Sequence, residues 1–345
     1  MKSIKKRQLL LGLVVLLYSI IVLSYALFPK AELNQFLSTQ LGLAQVYAFS
    51  LFFGIVIIIF ALLMIGVNSY KKDNRKPSLI MWLMMIVLSG VLVVGSCERS
   101  FTNQLVDSNQ SSFKIVSYNS ANQLSSANIQ TIFGEYNTDI AVLPEFDERP
   151  SSSDSRERIQ QLFKAANVNY NQYDVFISDH PTGVAGVTTI VKKSFAQFTQ
   201  QKNMPQPTFK SVNLKSQTAN VPSIIGLHAA PPIPGYLMNY WQKDLRTISN
   251  QLANQNPDSI LIGDFNANMK HGQLTNITTH EDGLNALPVF ERGTWPVSKL
   301  PSYFRTPIDH VLLPKNQYTI KDIKLQDLKT SDHMAIFMEV QKNKA

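Results

Sequence analysis

Six short segments in the last two thirds of this 345-residue chain carry side chains able to do chemistry. Asn119 stands in FKIVSYN, Glu145 in DIAVLPEFD, and His228 in IIGLHAAPP. Asp264 and Asn266 stand in ILIGDFNAN, Asp309 in PIDHVLL, and Asp332 with His333 in TSDHMAIF. Carboxylates, amides and two imidazoles together form a donor set for a hard divalent cation and a phosphate. Asp264 and Asn266 lie two apart and so share a face of extended chain. A carboxylate there can orient or deprotonate water while the amide holds a phosphate oxygen. His333 can bond a phosphate oxygen, and a carboxylate partner would fix its tautomer and raise its pKa. Asp309 is the candidate for that partner.

These residues need positioning, and the flanking sequence supplies it. Most of them end an apolar, β-branched run that reads as a buried strand. Strand ends gather at one rim of a sheet, where residues distant in sequence meet. Taken singly, each has a bland explanation. Gly-Asp-x-Asn can be a turn capping a helix, Asn119 a helix N-cap, and His228 a core histidine. Glu145 can simply exit to solvent, although an acid at the end of a buried strand is costly without a cation.

In combination and order, the segments resemble the endonuclease/exonuclease/phosphatase superfamily, the DNase I-like metal-dependent phosphoesterases. The resemblance covers about residues 111–342. It implies a four-layer α/β (α+β) sandwich of two mixed β-sheets flanked by helices, and hydrolysis of a phosphoester with Mg2+ or Mn2+. It implies Glu145 as principal metal ligand with Asn119 beside it and Asp332 as a second metal-side carboxylate. It also implies Asp264 as the residue that positions or activates water, Asn266 as its phosphate-binding neighbour, and His228 as a phosphate contact. Asp309 and His333 take the place of the pair that stabilises phosphoryl charge. Two positions depart from the common pattern. Pro144 precedes the Glu where many members have Gln, and Thr306-Pro307 separate Arg305 from Ile308-Asp309. Thr294-Trp295-Pro296 together with PIDHVLL looks like the bacterial membrane-anchored members.

The first hundred residues carry three uncharged apolar stretches, at about 9–28, 41–67 and 79–96. A helix needs about 20 apolar residues to cross the hydrocarbon core. The first is too long for the apolar part of a cleaved signal, and two more follow it, so it reads as an anchor. Domain organisation is therefore expected as a membrane anchor over 1–99, a Ser/Asn/Gln-rich linker over 100–112, and a catalytic domain over 113–342.

Of the net charge of +8, +7 lies in residues 1–99. The rest of the chain is nearly neutral, which argues against broad nucleic-acid binding through a basic face. The single Cys97 excludes an internal disulfide. Between the site segments the chain alternates as an α/β domain does. Helices are expected at 122–136, 155–166 and 236–253, and strands at 173–178, 187–192 and 209–214. Trp241, Leu245, Ile248 and Leu252 make one apolar stripe, read as core. No repeat, zinc spacing or phosphate-cradling Gly-rich loop is present.

The expected function is thus a multi-pass cell-membrane phosphoesterase, hydrolysing a phosphodiester or phosphomonoester outside the cytoplasm. Its substrate could be a lipid headgroup, a nucleic acid or a small phosphate ester, and no obligate protein partner is inferred. The alternatives are a nuclease acting on extracytoplasmic DNA or RNA, and a catalytically inactive binding domain of the same fold. Retention of every chemical residue named above argues against the latter.

Eight of the ten basic residues in 1–99 lie in the N-terminal tail or at 71–76. The positive-inside rule puts both flanks in the cytoplasm and the catalytic domain outside. A reporter that works only outside the cytoplasm should be active after residue 345 and silent near Lys72. The reverse pattern would overturn the topology.

Overall fold

The computed structural model describes residues 2–70, 76–97, 101, 111–147, 152–178, 186–297 and 301–344. Lys71, Lys72, Arg75 and most of the expected linker lie outside the described residues. The chain forms two compact units. One comprises Met1–Arg99 and Lys270–Thr275, the other Ser100–Met269 and Asn276–Ala345.

The first unit is helical: α1 (Lys2–Leu27), α2 (Glu32–Leu37), α3 (Leu43–Ala48), α4 (Ser50–Tyr70) and α5 (Lys76–Cys97). Three of its helices are long and apolar enough to cross a membrane, over Gln8–Leu27, Ser50–Ser69 and Ser78–Cys97. The second apolar stretch is not one helix from residue 41. Its first part is α3, and the backbone breaks at Phe49 (φ −104°, ψ 33°) before α4 begins. Leu9, Leu10, Leu62, Leu63 and Val87 point outward. Polar groups pair between helices: Tyr18 Oη with Ser89 Oγ at 2.9 Å and Tyr25 Oη with Ser50 Oγ at 2.8 Å. The added segment is held by polar contacts with the α2–α3 region. Gly272 N–H donates to Ser38 Oγ at 2.9 Å, and His271 Nε2 lies 2.9 Å from Ala44 O.

The second unit holds β1 (Ser112–Ser117), α6 (Ser126–Ile129), β2 (Ile140–Pro144), α7 (Ser152–Ala165), β3 (Tyr173–Ile177), β4 (Val187–Lys192), β5 (Phe198–Gln200), β6 (Ser211–Ser216) and β7 (Ser223–His228). It continues with α8 (Tyr236–Arg246), β8 (Ser259–Asp264), β9 (His280–Asp282), β10 (Asp309–Pro314), β11 (Tyr318–Gln326) and β12 (Ala335–Lys342). Wider i→i+5 turns extend α6 to Glu135 and α8 to Ala253.

The strands make two six-stranded mixed sheets, ordered β11-β12-β1-β2-β4-β3 and β5-β6-β7-β8-β10-β9. Each has a parallel central pair, β1/β2 and β7/β8, with antiparallel neighbours. Alternation along the strands separates two cores. Ile115, Ile140 and Val142 pack with Val212, Ile224, Ile260, Ile262 and Val311 of the other sheet. Their sequence neighbours Val116, Ala141 and Leu143 pack under Ile129, Phe133, Ile159 and Phe163 of the covering helices. The strand expected at 209–214 begins two residues later, because Lys210 takes a left-handed φ of 78°.

The close pairing of β7 and β8 depends on one residue. Gly263 lies beside Leu227 with φ 140°, and an added Cβ would lie 2.0 Å from Leu227 O. Gly263→Ala should destabilise the catalytic unit by about 3 kcal/mol or more. Gly134→Ala, whose new methyl meets only the end of the Gln130 side chain, should stay near wild type. Urea unfolding of the full chain followed by circular dichroism measures both. Equal stability of the two variants would refute the close-packing argument.

Candidate active site

Both central parallel pairs end at the same rim. β1 runs on to Asn119, β2 to Glu145, β7 ends in His228, and β8 ends in Asp264. From the other direction, β10 starts with Asp309, and His333 stands two residues before β12. In the second sheet, Asp264 pairs with His228 on one side and with Asp309 on the other. Register alone therefore places three of the residues in one row.

Asn119 links that row to the first sheet. Its Nδ2 donates to Glu145 Oε1 at 3.0 Å and to Asp264 Oδ2 at 2.9 Å, while its Oδ1 accepts from Ala121 N–H at 3.1 Å. His228 Nε2 lies 3.4 Å from Glu145 Oε1 and 3.8 Å from Asp264 Oδ2. His333 Nδ1 bonds Asp309 Oδ2 at 2.8 Å, which leaves Nε2 facing Asp264 Oδ2 at 4.0 Å. Six of the eight candidate residues converge in this way, and Asn266 joins them through its N–H on Asp264 Oδ1. The eighth, Asp332, is half-exposed and accepts from Trp295 Nε1 at 2.8 Å, with its other oxygen 3.9 Å from His333 Nε2.

Glu145 and Asn266 both have left-handed φ, 49° and 48°, a conformation uncommon for a glutamate and readily adopted by an asparagine. Glu145 O accepts from Asn122 N–H at 2.7 Å and Ser120 Oγ at 3.0 Å. Asn266 N–H donates to Asp264 Oδ1 at 2.7 Å, and its Nδ2 donates to Ala229 O at 2.9 Å. Its carbonyl accepts from Trp241 Nε1 at 3.0 Å. Trp241 therefore does more than pack, a role that apolar periodicity does not reveal. Thr294 is a further residue missed in the sequence: its Oγ1 accepts from Ile308 N–H at 3.1 Å and Asp309 N–H at 3.2 Å. Its only signal was adjacency to Trp295-Pro296.

Charge is unbalanced here. Burial first, and then the Asp309 carboxylate, push the Asp264 carboxyl up to about 7, against the pull of His333 and of the bonds from Asn266 and Asn119. Burial works to lower His333, but the Asp309 bond and charge, with Asp264 and Asp332, prevail and raise it to about 10. Glu145, His228 and Asp264 offer ligand atoms within 4.8 Å of one another, as do Asp264, Asp309 and His333. Among the described residues, the ion-pair partners of Glu145, Asp264 and Asp309 are all histidines. Asp309 Oδ1 is buried with no hydrogen-bond partner among them. A surplus of oxygen donors and a short supply of fixed positive charge fit a divalent cation.

The model of the Endonuclease/Exonuclease/phosphatase family matches residues 116–333. No curated protein matches the chain. Among solved structures, it is similar to an endonuclease/exonuclease/phosphatase from Beutenbergia cavernae, at 13% identity and TM-score 0.50, covering 68% of this chain and 72% of that one. It is also similar to an endonuclease/exonuclease/phosphatase from Bacteroides vulgatus, at 12% identity and TM-score 0.45, covering 68% and 100%. A third is the inositol polyphosphate 5-phosphatase domain of SPsynaptojanin in complex with inositol (1,4)-bisphosphate and calcium, at 16% identity and TM-score 0.46, covering 68% and 85%.

The Asp309–His333 bond predicts that the two residues act as a unit. Asp309→Ala and His333→Ala should each reduce phosphoester turnover severely, and the double variant should be little worse than the worse single one. Losses that multiply independently would break the pairing and favour Asp332 as the partner of His333.

Proposed function

The chain belongs to the endonuclease/exonuclease/phosphatase family, and from that premise we propose that it is a membrane-anchored, divalent-metal-dependent phosphoesterase acting outside the cytoplasm. The observation that carries the reading is Asp264, the residue shared by both groups of metal-capable side chains. Three apolar helices support the anchoring, and the placement of Lys and Arg in the first hundred residues supports an outside catalytic domain. The bacterial membrane-anchored branch of the family is the one we assign.

The chain's own residues suit an in-line attack by water on phosphorus. A carboxyl pushed up to about 7 is matched to accepting a proton from water near neutral pH. Asp264 is therefore assigned as the base, with the Asn266 N–H on its Oδ1 fixing its orientation. His333 keeps a proton on Nδ1 for Asp309 and, as the cation, presents Nε2–H to the charge that grows on the phosphoryl oxygens. His228 Nε2, between Glu145 and Asp264, is placed for a second such contact. Asn266 is the phosphate-side amide of the pair.

Glu145 is assigned as the principal ligand of Mg2+ or Mn2+, with Asp264 beside it and Asp332 at the margin. When bound, the ion would neutralise phosphate charge and steady the leaving oxygen. Asn119 joins the ligands only with its amide turned over, since its Oδ1 is held by Ala121 N–H. The substrate we assign is a phosphodiester or phosphomonoester within reach of the membrane, such as a lipid headgroup.

EDTA should abolish hydrolysis of phosphodiester probes by the detergent-solubilised full chain, and Mg2+ or Mn2+ should restore it. Asp264→Asn should lower turnover by about 100-fold or more with the fold intact. Below about pH 7 the Asp264 carboxyl holds a proton that a metal must displace. Metal affinity should therefore rise from about pH 5.5 to about pH 8 and then level off. Calorimetric titration reads this without turnover, and a flat profile would remove Asp264 from the metal group.

A further inference from the structure

Next to Asp309 on the same strand stands a second histidine with no access to the site. His310 is fully buried. Its Nδ1 lies 2.8 Å from Asp282 Oδ2, and its Nε2 lies 2.8 Å from Ala267 O. A carbonyl oxygen only accepts, so Nε2 must carry a proton. With Asp282 as the carboxylate, Nδ1 must carry one too. The ring is then a cation donating from both nitrogens, pressed edge-on against Phe265 with centroids 5.1 Å apart. Burial works against that charge, but the Asp282 carboxylate and the Ala267 bond hold the ring's pKa above the ordinary histidine range.

A buried ion pair is a poor source of stability, because desolvation offsets most of the attraction. What this one does supply is a fixed point. Ala267 is the residue after Asn266, which is held in the left-handed conformation. Every residue of the turn is fastened: Asp264 by the sheet, Phe265 N–H to Ile308 O at 2.9 Å, Asn266 O by Trp241, and Ala267 O by His310. Successive residues of a strand face opposite ways. Asp309 thus orients His333 on one face of β10 while His310 orients the Asp264–Asn266 turn on the other.

We propose that His310, seated by Asp282, is a positioning residue that sets the geometry of Asp264 and Asn266 by clamping the Ala267 carbonyl. The assignment rests on the phosphoesterase reading for its kinetic consequence and on geometry alone for its structural one. A misplacement of reacting groups by about 1 Å costs on the order of 100-fold in rate. Loss of the clamp therefore acts on turnover more than on substrate binding.

The test uses the full chain in detergent, with bis(p-nitrophenyl) phosphate and Mn2+ as the probe. His310→Leu removes the donor to the Ala267 carbonyl. Asp282→Ala removes the carboxylate that seats the ring and serves if the first variant does not fold. The expected result is a fall in kcat of about 10- to 100-fold with KM little changed. Hydrogen exchange should rise in residues 264–269 while β1, β2 and β12 keep their protection. Wild-type kcat in both variants would overturn the proposal. So would unchanged exchange at 264–269, or exchange raised throughout both sheets, which is the mark of general destabilisation. If the wild-type chain does not turn over the probe, the phosphoesterase reading fails by that result, and the exchange pattern alone decides the clamp.

Discussion

One amide joins the two sheets at the site. Asn119 reaches from the end of β1 and donates from a single nitrogen to Glu145 of its own sheet and to Asp264 of the other. Two carboxylates brought this close repel each other unless something positive stands between them. In the protein alone, that something is the N–H dipole of Asn119 with the imidazoles of His228 and His333. Burial, and after it the Asp309 carboxylate, still raise the Asp264 carboxyl against the pull of His333 and Asn119. Three features accompany it: a buried acid pushed up to about 7, a histidine held cationic by Asp309, and an Asp309 oxygen with no hydrogen-bond partner among the described residues.

The site was legible in the sequence wherever chemistry coincided with the end of an apolar run. Glu145, His228 and Asp264 each close such a run, and the rim gathers them. Asp309 and His333 were paired on chemical grounds, and the 2.8 Å bond between them bears this out. Residues acting through a backbone carbonyl or amide left little trace. Trp241 looked like one more apolar position at helical spacing, and Thr294 stood out only as part of a resemblance, with no role of its own. His310 is overshadowed by its neighbour Asp309, since nothing local says that a carboxylate and a carbonyl will meet its two nitrogens.

Element boundaries failed for similar reasons. The helix expected from residue 122 starts at Ser126, because Ala121 and Asn122 take left-handed φ and Ser125 supplies the cap. Apolar composition at 41–67 could not show that the helix breaks at Phe49. Nor could reading along the chain show that Lys270–Thr275, only a few residues past Asn266, is held among polar groups of the α2–α3 region. Hydropathy and periodicity are local signals. Contacts between groups more than 200 positions apart are settled by the fold.

The order of strands has a consequence for how the protein comes into being. β12 is the furthest along the chain of the twelve described strands, yet it sits in the sheet between β11 and β1. β1, the first strand of its unit, pairs with it along the full run from Ser112↔Gln341 to Ser117↔Ile336. During vectorial synthesis, the first sheet therefore waits with an unfilled place beside β1 until β12 emerges. Long-range pairings of this kind form slowly. The segment that fills the gap also carries His333, which stands two residues before β12. An unfinished or prematurely ended chain can bear Asp264 and Glu145 and still have neither a closed sheet nor a complete site. Closing the sheet around β1 and completing the candidate site are thus one and the same step.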